Sequence, residues 1–267
     1  MKDKILIGQY VPIESVVHRL DPRAKLVFIF GFILIIFLAD NATSYAVVGV
    51  FSLLAALSSK VPFSFLLNGM KPVFFLVIFT FLLHIFLTRE GDVLWRLGPL
   101  SIYEEGVRQG IFISFRFFFL ILVTTLLTLT TTPIEITDGL EKLLGPLKKI
   151  RFPAHELALM LSISLRFIPT LLEETEKIMK AQMARGVEFT SGPIRERVKA
   201  IVPLLVPLFV SSFKRAEELA TAMEARGYRG GEGRSKYRAL HWSFRDTALI
   251  FLFGALTFVL LMTRTGG

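Results

Sequence analysis

The sequence predicts an all-α integral membrane protein with about five transmembrane helices and three further amphipathic helices outside the membrane. Hydrophobic residues make up 53% of its 267 positions, and 26 of them are phenylalanine. The mean hydropathy is +0.59. A water-soluble domain of ordinary composition carries fewer apolar residues than this, so the composition indicates a chain that is solvated largely by lipid.

Five apolar stretches approach the length of roughly 17–25 residues that a spanning helix needs. The first two lie on either side of Asp40-Asn41 and are short. We expect both to span, with a shallow hairpin as the alternative. Residues 62–71 are predicted to lie in the interface and residues 89–105 to form a loop. The predicted spans cover residues 26–39, 45–57, 72–87, 110–130 and 247–262.

Residues 132–245 differ in character, because they hold 19 of the 31 basic residues and 13 of the 22 acidic ones. Their periodicity predicts one short amphipathic helix over residues 133–150 and two long ones over 153–185 and 194–226. We therefore divide the chain into a membrane region of four spans at 1–131, a cytoplasmic block at 132–245 and a last span within 246–267.

Charge distribution predicts the topology and the partners. Cytoplasmic loops of membrane proteins are enriched in lysine and arginine, which places the amino terminus and the 132–245 block in the cytoplasm. The basic residues lie beside apolar runs, where they suit lipid headgroups, so we expect a lipid bilayer and no nucleic acid as partner. Residues 1–23 contain acids and prolines and no apolar core, so we expect no cleaved signal there.

A short internal repeat ends both long helices: Ala184-Arg185-Gly186 recurs 41 positions later as Ala225-Arg226-Gly227. One such triplet is explained as a helix stop, because arginine suits the negative end of the helix dipole and glycine follows many helix ends. Two matched triplets on a membrane protein favour a second interpretation, in which each arginine contacts one copy of a partner.

Motifs for catalysis are absent from the sequence. There is no phosphate-binding Gly-x-x-x-x-Gly-Lys-Ser/Thr loop, and His155-Glu156 lacks the second histidine of a zinc protease because Leu159 stands in its place. We expect no enzyme activity, no cofactor and no metal site in this chain. Two classes stay open, a subunit that transmits motion to a partner and a stand-alone secondary transporter, although no carboxylate lies within the predicted spans.

Two features of the sequence resemble a known family. Residues 18–26 read His-Arg-Leu-Asp-Pro-Arg-Ala-Lys-Leu, and the two Ala-Arg-Gly triplets follow at the ends of the long helices. Together they resemble the transmembrane T component of energy-coupling factor (ECF) transporters, the vitamin and metal importers of prokaryotes. The resemblance covers essentially the whole chain.

The resemblance implies a scaffold in a prokaryotic cell membrane with three partner chains. Two would be ATP-binding-cassette (ABC) ATPases that bind ATP and Mg²⁺, each receiving one of the arginines Arg185 and Arg226. The third would be an S component, a small membrane protein that captures the vitamin or other micronutrient. We expect it to rest on the apolar parts of the two long helices, with contacts at Leu165, Ile168, Leu172, Leu204 and Leu208.

Overall fold

The computed structural model describes residues 10–97, 100–189, 193–230 and 240–265. The chain divides into two compact units. The first unit comprises residues 1–143 and 239–267, and the second comprises residues 144–238. The boundaries predicted from the sequence lie at 131/132 and 245/246. The division into a membrane region, a cytoplasmic block and a last span stays a prediction.

Eight α-helices and a small hairpin make up the described part of the chain. The first unit holds α1 (Pro22–Ile35), α2 (Ala42–Ser59), α3 (Phe63–Leu87), strands β1 (Val93–Leu97) and β2 (Leu100–Tyr103), α4 (Glu104–Thr130), α5 (Pro133–Leu144) and α8 (Phe244–Thr265). The second holds α6 (Ala154–Ala184) and α7 (Ile194–Ala225). Short 3-10 segments follow α1 at Ile36–Leu38 and α5 at Gly145–Ile150.

The predicted all-α membrane architecture is confirmed, but the set of candidate spans differs from the predicted one. Helices α2, α4, α6 and α8 are long and apolar enough to cross a membrane. Helix α3 would be a fifth span, bent by 56° between Phe63–Lys71 and Val73–Leu87. Because Pro72 between those segments has no amide hydrogen, the helix loses a hydrogen bond there. The interfacial stretch predicted at 62–71 is thus the first part of α3.

The helical stretch at the span predicted for residues 26–39 is shorter than the other candidate spans. The 14 residues of α1 and the three of the 3-10 segment after it extend about 27 Å, slightly less than the hydrocarbon core of about 30 Å. Helix α6, predicted to lie outside the membrane, meets the length and composition criteria for a span instead. Few of its residues are buried, so this apolar helix presents most of its surface to its surroundings.

A β-hairpin occupies the segment predicted as a loop at 89–105. Its strands pair antiparallel, with Trp95 opposite Ile102 and Leu97 opposite Leu100. The Glu104 amide donates to the Asp92 carbonyl across the base of the hairpin (2.9 Å). The base of the hairpin therefore adjoins the first residue of α4.

The core of the first unit consists of aliphatic and aromatic side chains where α1, α2, α4 and α8 meet. Phe28 packs edge-on against Phe253, and Tyr45 stacks on Phe112. Close packing of α1 on α8 requires Gly31, because a Cβ atom there would lie 2.4 Å from the Phe253 ring. The residues buried together are Phe28, Ile29, Phe32, Ile35, Ile36, Ala39, Tyr45, Val48, Val123, Leu256 and Leu260.

Candidate functional site

The first predicted site residue, Arg185, lies at the C-terminal end of α6 in a well-defined helix cap. Gly186, the next residue, has φ +88°. The Gly186 amide donates to the Met183 carbonyl, and the Val187 amide donates to the Gln182 carbonyl, both at 3.0 Å. This pair of bonds is a Schellman motif, which satisfies the last carbonyls of a helix and turns the chain away from it.

The second triplet ends α7 in the same way. Gly227 has φ +73°, its amide donates to the Glu224 carbonyl (2.8 Å), and the Tyr228 amide donates to the Met223 carbonyl (3.0 Å). The repeat in sequence is therefore also a repeat in local structure, and the predicted helix stops at Gly186 and Gly227 are confirmed.

Both triplets are accessible within the described residues. Ala184, Arg185 and Gly186 are exposed, and so are Ala225, Arg226 and Gly227. A Cβ atom built on either glycine would meet nothing within 4 Å. A partner surface could thus approach each arginine closely from several directions.

Helices α6 and α7 run antiparallel where they touch. The Gln182 side chain donates to the Pro203 carbonyl (3.3 Å). Eight residues away on each helix, Glu174 accepts from the Ser211 hydroxyl (2.5 Å) and pairs with Arg215 (2.9 Å). Pro203 lies beside the end of α6, because it contacts Gln182. Helix α7 continues from Pro203 to Arg226, a distance of about 35 Å along the helix at about 1.5 Å per residue. The two arginines therefore lie at opposite ends of the helix pair.

The five apolar residues predicted to contact an S component are half-buried: Leu165, Ile168, Leu172, Leu204 and Leu208. More exposed apolar side chains of α7 lie at other positions of the helix, and Val210 beside Phe209 is 64% exposed. Five of these side chains recur every three or four residues and so form a stripe along α7: Val198, Val202, Val206, Phe209 and Phe213.

The nonapeptide at residues 18–26 leads into α1 and forms its first turn, and its residues 21, 22 and 24–26 are buried. The Asp21 carboxylate caps the helix by accepting from the Arg23 amide (2.8 Å), and it pairs with the Arg23 guanidinium through two bonds of 3.0 and 2.8 Å. Burial alone would raise the pKa of the Asp21 carboxyl, but the hydrogen bonds and charge of Arg23 outweigh burial and hold that pKa below its usual value.

Lys25 is 5% exposed and lies just before the apolar run of α1. Its ammonium donates to the Thr130 carbonyl (2.9 Å) and to the Thr131 hydroxyl (3.0 Å). Burial lowers the pKa of this ammonium to about 8, although the carboxylates of Glu135 and Asp246 partly offset the effect. Lysine thus satisfies the end of α4, where a helix carbonyl would otherwise lack a partner.

Sequence reasoning missed the residues that the nonapeptide contacts. Asp246, which is fully buried, accepts from the Asp21 amide (2.7 Å) and from the Ser243 amide (2.7 Å). Thr132 and Glu135 form a reciprocal capping box at the start of α5, and its Thr-x-x-Glu pattern is a signal that sequence analysis could have used. No sequence signal connects Asp21 with Asp246.

Several apolar helices together with two exposed, arginine-tipped helices define a multi-pass, all-helical membrane protein. The family profile described as CbiQ, cobalt transport protein, matches residues 14–237. The chain is 64% identical over 264 residues to the energy-coupling factor transporter transmembrane protein EcfT of Bacillus subtilis, covering 99% of this chain and all of the relative. It is 56% identical to the protein of that name from Exiguobacterium sibiricum over 262 residues, covering 98% of this chain and all of the relative.

The corresponding Listeria innocua protein is 55% identical over 265 residues, covering 99% of this chain and all of the relative. The chain therefore belongs to the family of energy-coupling factor transporter transmembrane proteins. The resemblance inferred from the sequence is confirmed, and the protein is a membrane component of a transporter and a non-catalytic subunit by family role.

Proposed function

We propose that this chain is the scaffold and coupling subunit of an ATP-driven importer. Arg185 and Arg226 would each bind one ABC-type ATPase, and a membrane-embedded S component would hold the substrate, a vitamin or another micronutrient. The observation that carries the proposal is the pair of identical, exposed arginine tips. ATP and Mg²⁺ would be bound by the ATPases, because this chain has no phosphate loop.

The chemistry of the tips suits a protein groove lined by carboxylates. A guanidinium pairs with a carboxylate through two parallel hydrogen bonds, which fixes direction as well as adding energy. Glycine and alanine beside the arginine leave room for a partner backbone. Because the two tips lie at opposite ends of the α6–α7 pair, one compact groove could not receive both. Two partner subunits, or two equivalent sites, account for this spacing.

An S component would lie on the apolar surface of the second unit, and the α7 stripe is the better candidate for its contact. A large exposed apolar patch commonly marks an interaction site. Apolar segments of α6 support the same proposal, since Met160 and Leu161 are also exposed. The half-buried residues Leu204 and Leu208 would then support the contact from behind. The amino terminus and residues 132–245 would lie on the cytoplasmic side, as the charge distribution predicts.

Charge reversal at the two tips tests the ATPase contact. Arg185→Glu and Arg226→Glu should each weaken association with the ATPases, and the double variant should be worse. Loss of a buried paired arginine costs about 2–5 kcal/mol, or roughly 30-fold or more in affinity. Arg166→Glu, on the exposed surface of α6, is the matched control. Normal co-purification and normal transport by the double variant would refute the proposal.

Polar substitutions on the stripe test the S-component contact. Phe209→Ser with Phe213→Ser should release the S component while both ATPases remain bound. Leu204 and Leu208 changed to serine should give the same result, with an added loss of helix packing because those side chains are half-buried. Unchanged recovery of the S component with the Phe209/Phe213 variant would exclude the stripe. Solute uptake driven by an ion gradient, in vesicles holding this chain alone, would instead identify a secondary transporter.

A further inference from the structure

The chain passes between the two units twice, and within the first unit the start of α1 contacts the segments next to both passages. The chain leaves the first unit after residue 143, through α5, and re-enters it at residue 239, shortly before α8. Residues 21–25 contact the segment that leads into α5 and the segment that begins α8. We name this set of side chains the Lys25 cluster: Asp21, Arg23, Lys25, Thr130, Thr131 and Asp246.

On the outgoing side, Lys25 holds the junction between α4 and α5. Its ammonium donates hydrogen bonds to the Thr130 carbonyl and the Thr131 hydroxyl. One residue earlier in α4, the Leu129 carbonyl accepts a hydrogen bond from the Val11 amide (2.9 Å). Helix α5 also packs directly on α1. A Cβ atom on the buried Gly139 would lie 3.0 Å from the Leu26 side chain and 3.3 Å from Pro22.

On the returning side, Asp21 and Arg23 hold the start of α8. The Asp21 amide donates to Asp246, whose second oxygen accepts from the Ser243 amide and hydroxyl. The Arg23 guanidinium lies over the Trp242 ring, 5.5 Å from its centroid. In such a cation–π contact the negative face of the indole ring attracts the guanidinium. Both passages are thus fixed to the same turn of α1.

Stability alone does not explain a lysine at position 25. Burial disfavours its charged form, and replacing buried charges by apolar groups of similar volume is often neutral or stabilising. An ammonium provides what methionine cannot, which is two hydrogen bonds that fix the end of α4 relative to α1. The hydrogen bonds of Lys25 therefore serve to fix the position of α4 relative to α1.

We propose that Lys25 is a positioning residue that joins the outgoing passage to α1, while Asp21 and Arg23 join the returning passage to the same turn, so that movement of the second unit during transport reaches the membrane helices. The inference rests on the coupling role proposed above. Without the cluster, α5 could move relative to α1 while the second unit still followed its ATPases. ATP hydrolysis would then continue without transport.

The test uses the complete transporter in liposomes and measures ATP hydrolysis, substrate uptake and thermal stability together. Lys25→Met should keep both ATPases bound and keep hydrolysis within about twofold, while uptake per ATP falls at least tenfold. Thr131→Val, which removes one acceptor, should show a smaller loss, and Thr131→Ser should restore coupling because it keeps the hydroxyl. Gly139→Leu should uncouple without changing any charge.

Ile29→Ala, one turn along α1 and also buried, is the control for destabilisation. It should keep its uptake per ATP even when its melting temperature equals that of Lys25→Met. If Lys25→Met transports like the wild type, or if both variants lose uptake in parallel with stability, the positioning role is wrong. Failure of the wild-type chain to bind any ATPase would instead refute the proposed function.

Discussion

The side-chain amide of Gln182 in α6 donates a hydrogen bond to the carbonyl of Pro203 in α7. That carbonyl lies four residues before Pro207, which has no amide hydrogen with which to complete the helical bond. The proline therefore exposes an acceptor in the middle of α7, and α6 supplies the missing donor. The break in one helix thus becomes a specific contact with the other.

Gln182→Ala should destabilise the contact between α6 and α7 by about 1 kcal/mol, because the Pro203 carbonyl would lose its partner. Pro207→Ala restores the donor within α7, so Gln182→Ala should have almost no effect in that background. Thermal unfolding of the four proteins of this double-mutant cycle gives the coupling directly. Equal effects of Gln182→Ala in both backgrounds would show that the proline does not create the acceptor.

The two cap glycines should be sensitive to the smallest substitution. Gly186→Ala and Gly227→Ala each place a side chain at a positive φ, which costs about 1–2 kcal/mol and favours another path for the chain beyond the arginine. We expect weaker ATPase binding by both variants in a co-purification assay. Gly254→Ala is the matched control. Position 254 lies inside α8 with open space around it, so alanine should stabilise the protein slightly there.

Local signals predicted the parts of the fold that depend on neighbours in sequence. Arginine followed by glycine placed the ends of α6 and α7 within one residue, because caps depend on backbone conformation at one turn. The hairpin was missed, since β1 has five residues and too few alternations to distinguish a strand from a loop. Residues 198–213 of α7 are apolar on most sides, so periodicity could not distinguish Leu204 and Leu208, which are half-buried, from the exposed Phe209.

Asp21 should make stability depend on pH in the acidic range. Its pKa is lower in the folded protein than the value of 3.8 for a free side chain, so its ionised form stabilises the fold above that value. The contribution is lost as pH falls through the folded pKa. The melting temperature of the wild type should therefore approach that of Asp21→Asn as pH decreases below about 4.

At neutral pH, Asp21→Asn should melt at a lower temperature than the wild type, corresponding to about 1–3 kcal/mol. Glu90→Gln, at an exposed position, should follow the wild-type curve. A constant difference between Asp21→Asn and the wild type from pH 7 to pH 3 would contradict the assignment.

The β-hairpin should bury Trp95 in the membrane interface. Trp95 is 64% exposed and its neighbour Leu94 59% exposed within the protein, and a two-stranded hairpin is marginally stable without a surface to pack on. The chain has two tryptophans, so Trp242→Phe leaves Trp95 as the single tryptophan, whose fluorescence can be excited apart from that of the tyrosines. In liposomes its emission should shift to shorter wavelength and be quenched by lipids brominated near the headgroup. Quenching by aqueous iodide alone would place the hairpin in water.

The hydrogen bond between the Asp21 amide and Asp246 joins residues that are 225 positions apart. A ribosome completes α1 early, but Asp246 leaves it only after the whole second unit has been synthesised. Until then the Asp21 amide and the start of α1 have no partner in α8. The last helix therefore completes the assembly of the first, and a nascent chain that stops before α8 lacks the bond that fixes its own amino-terminal helix.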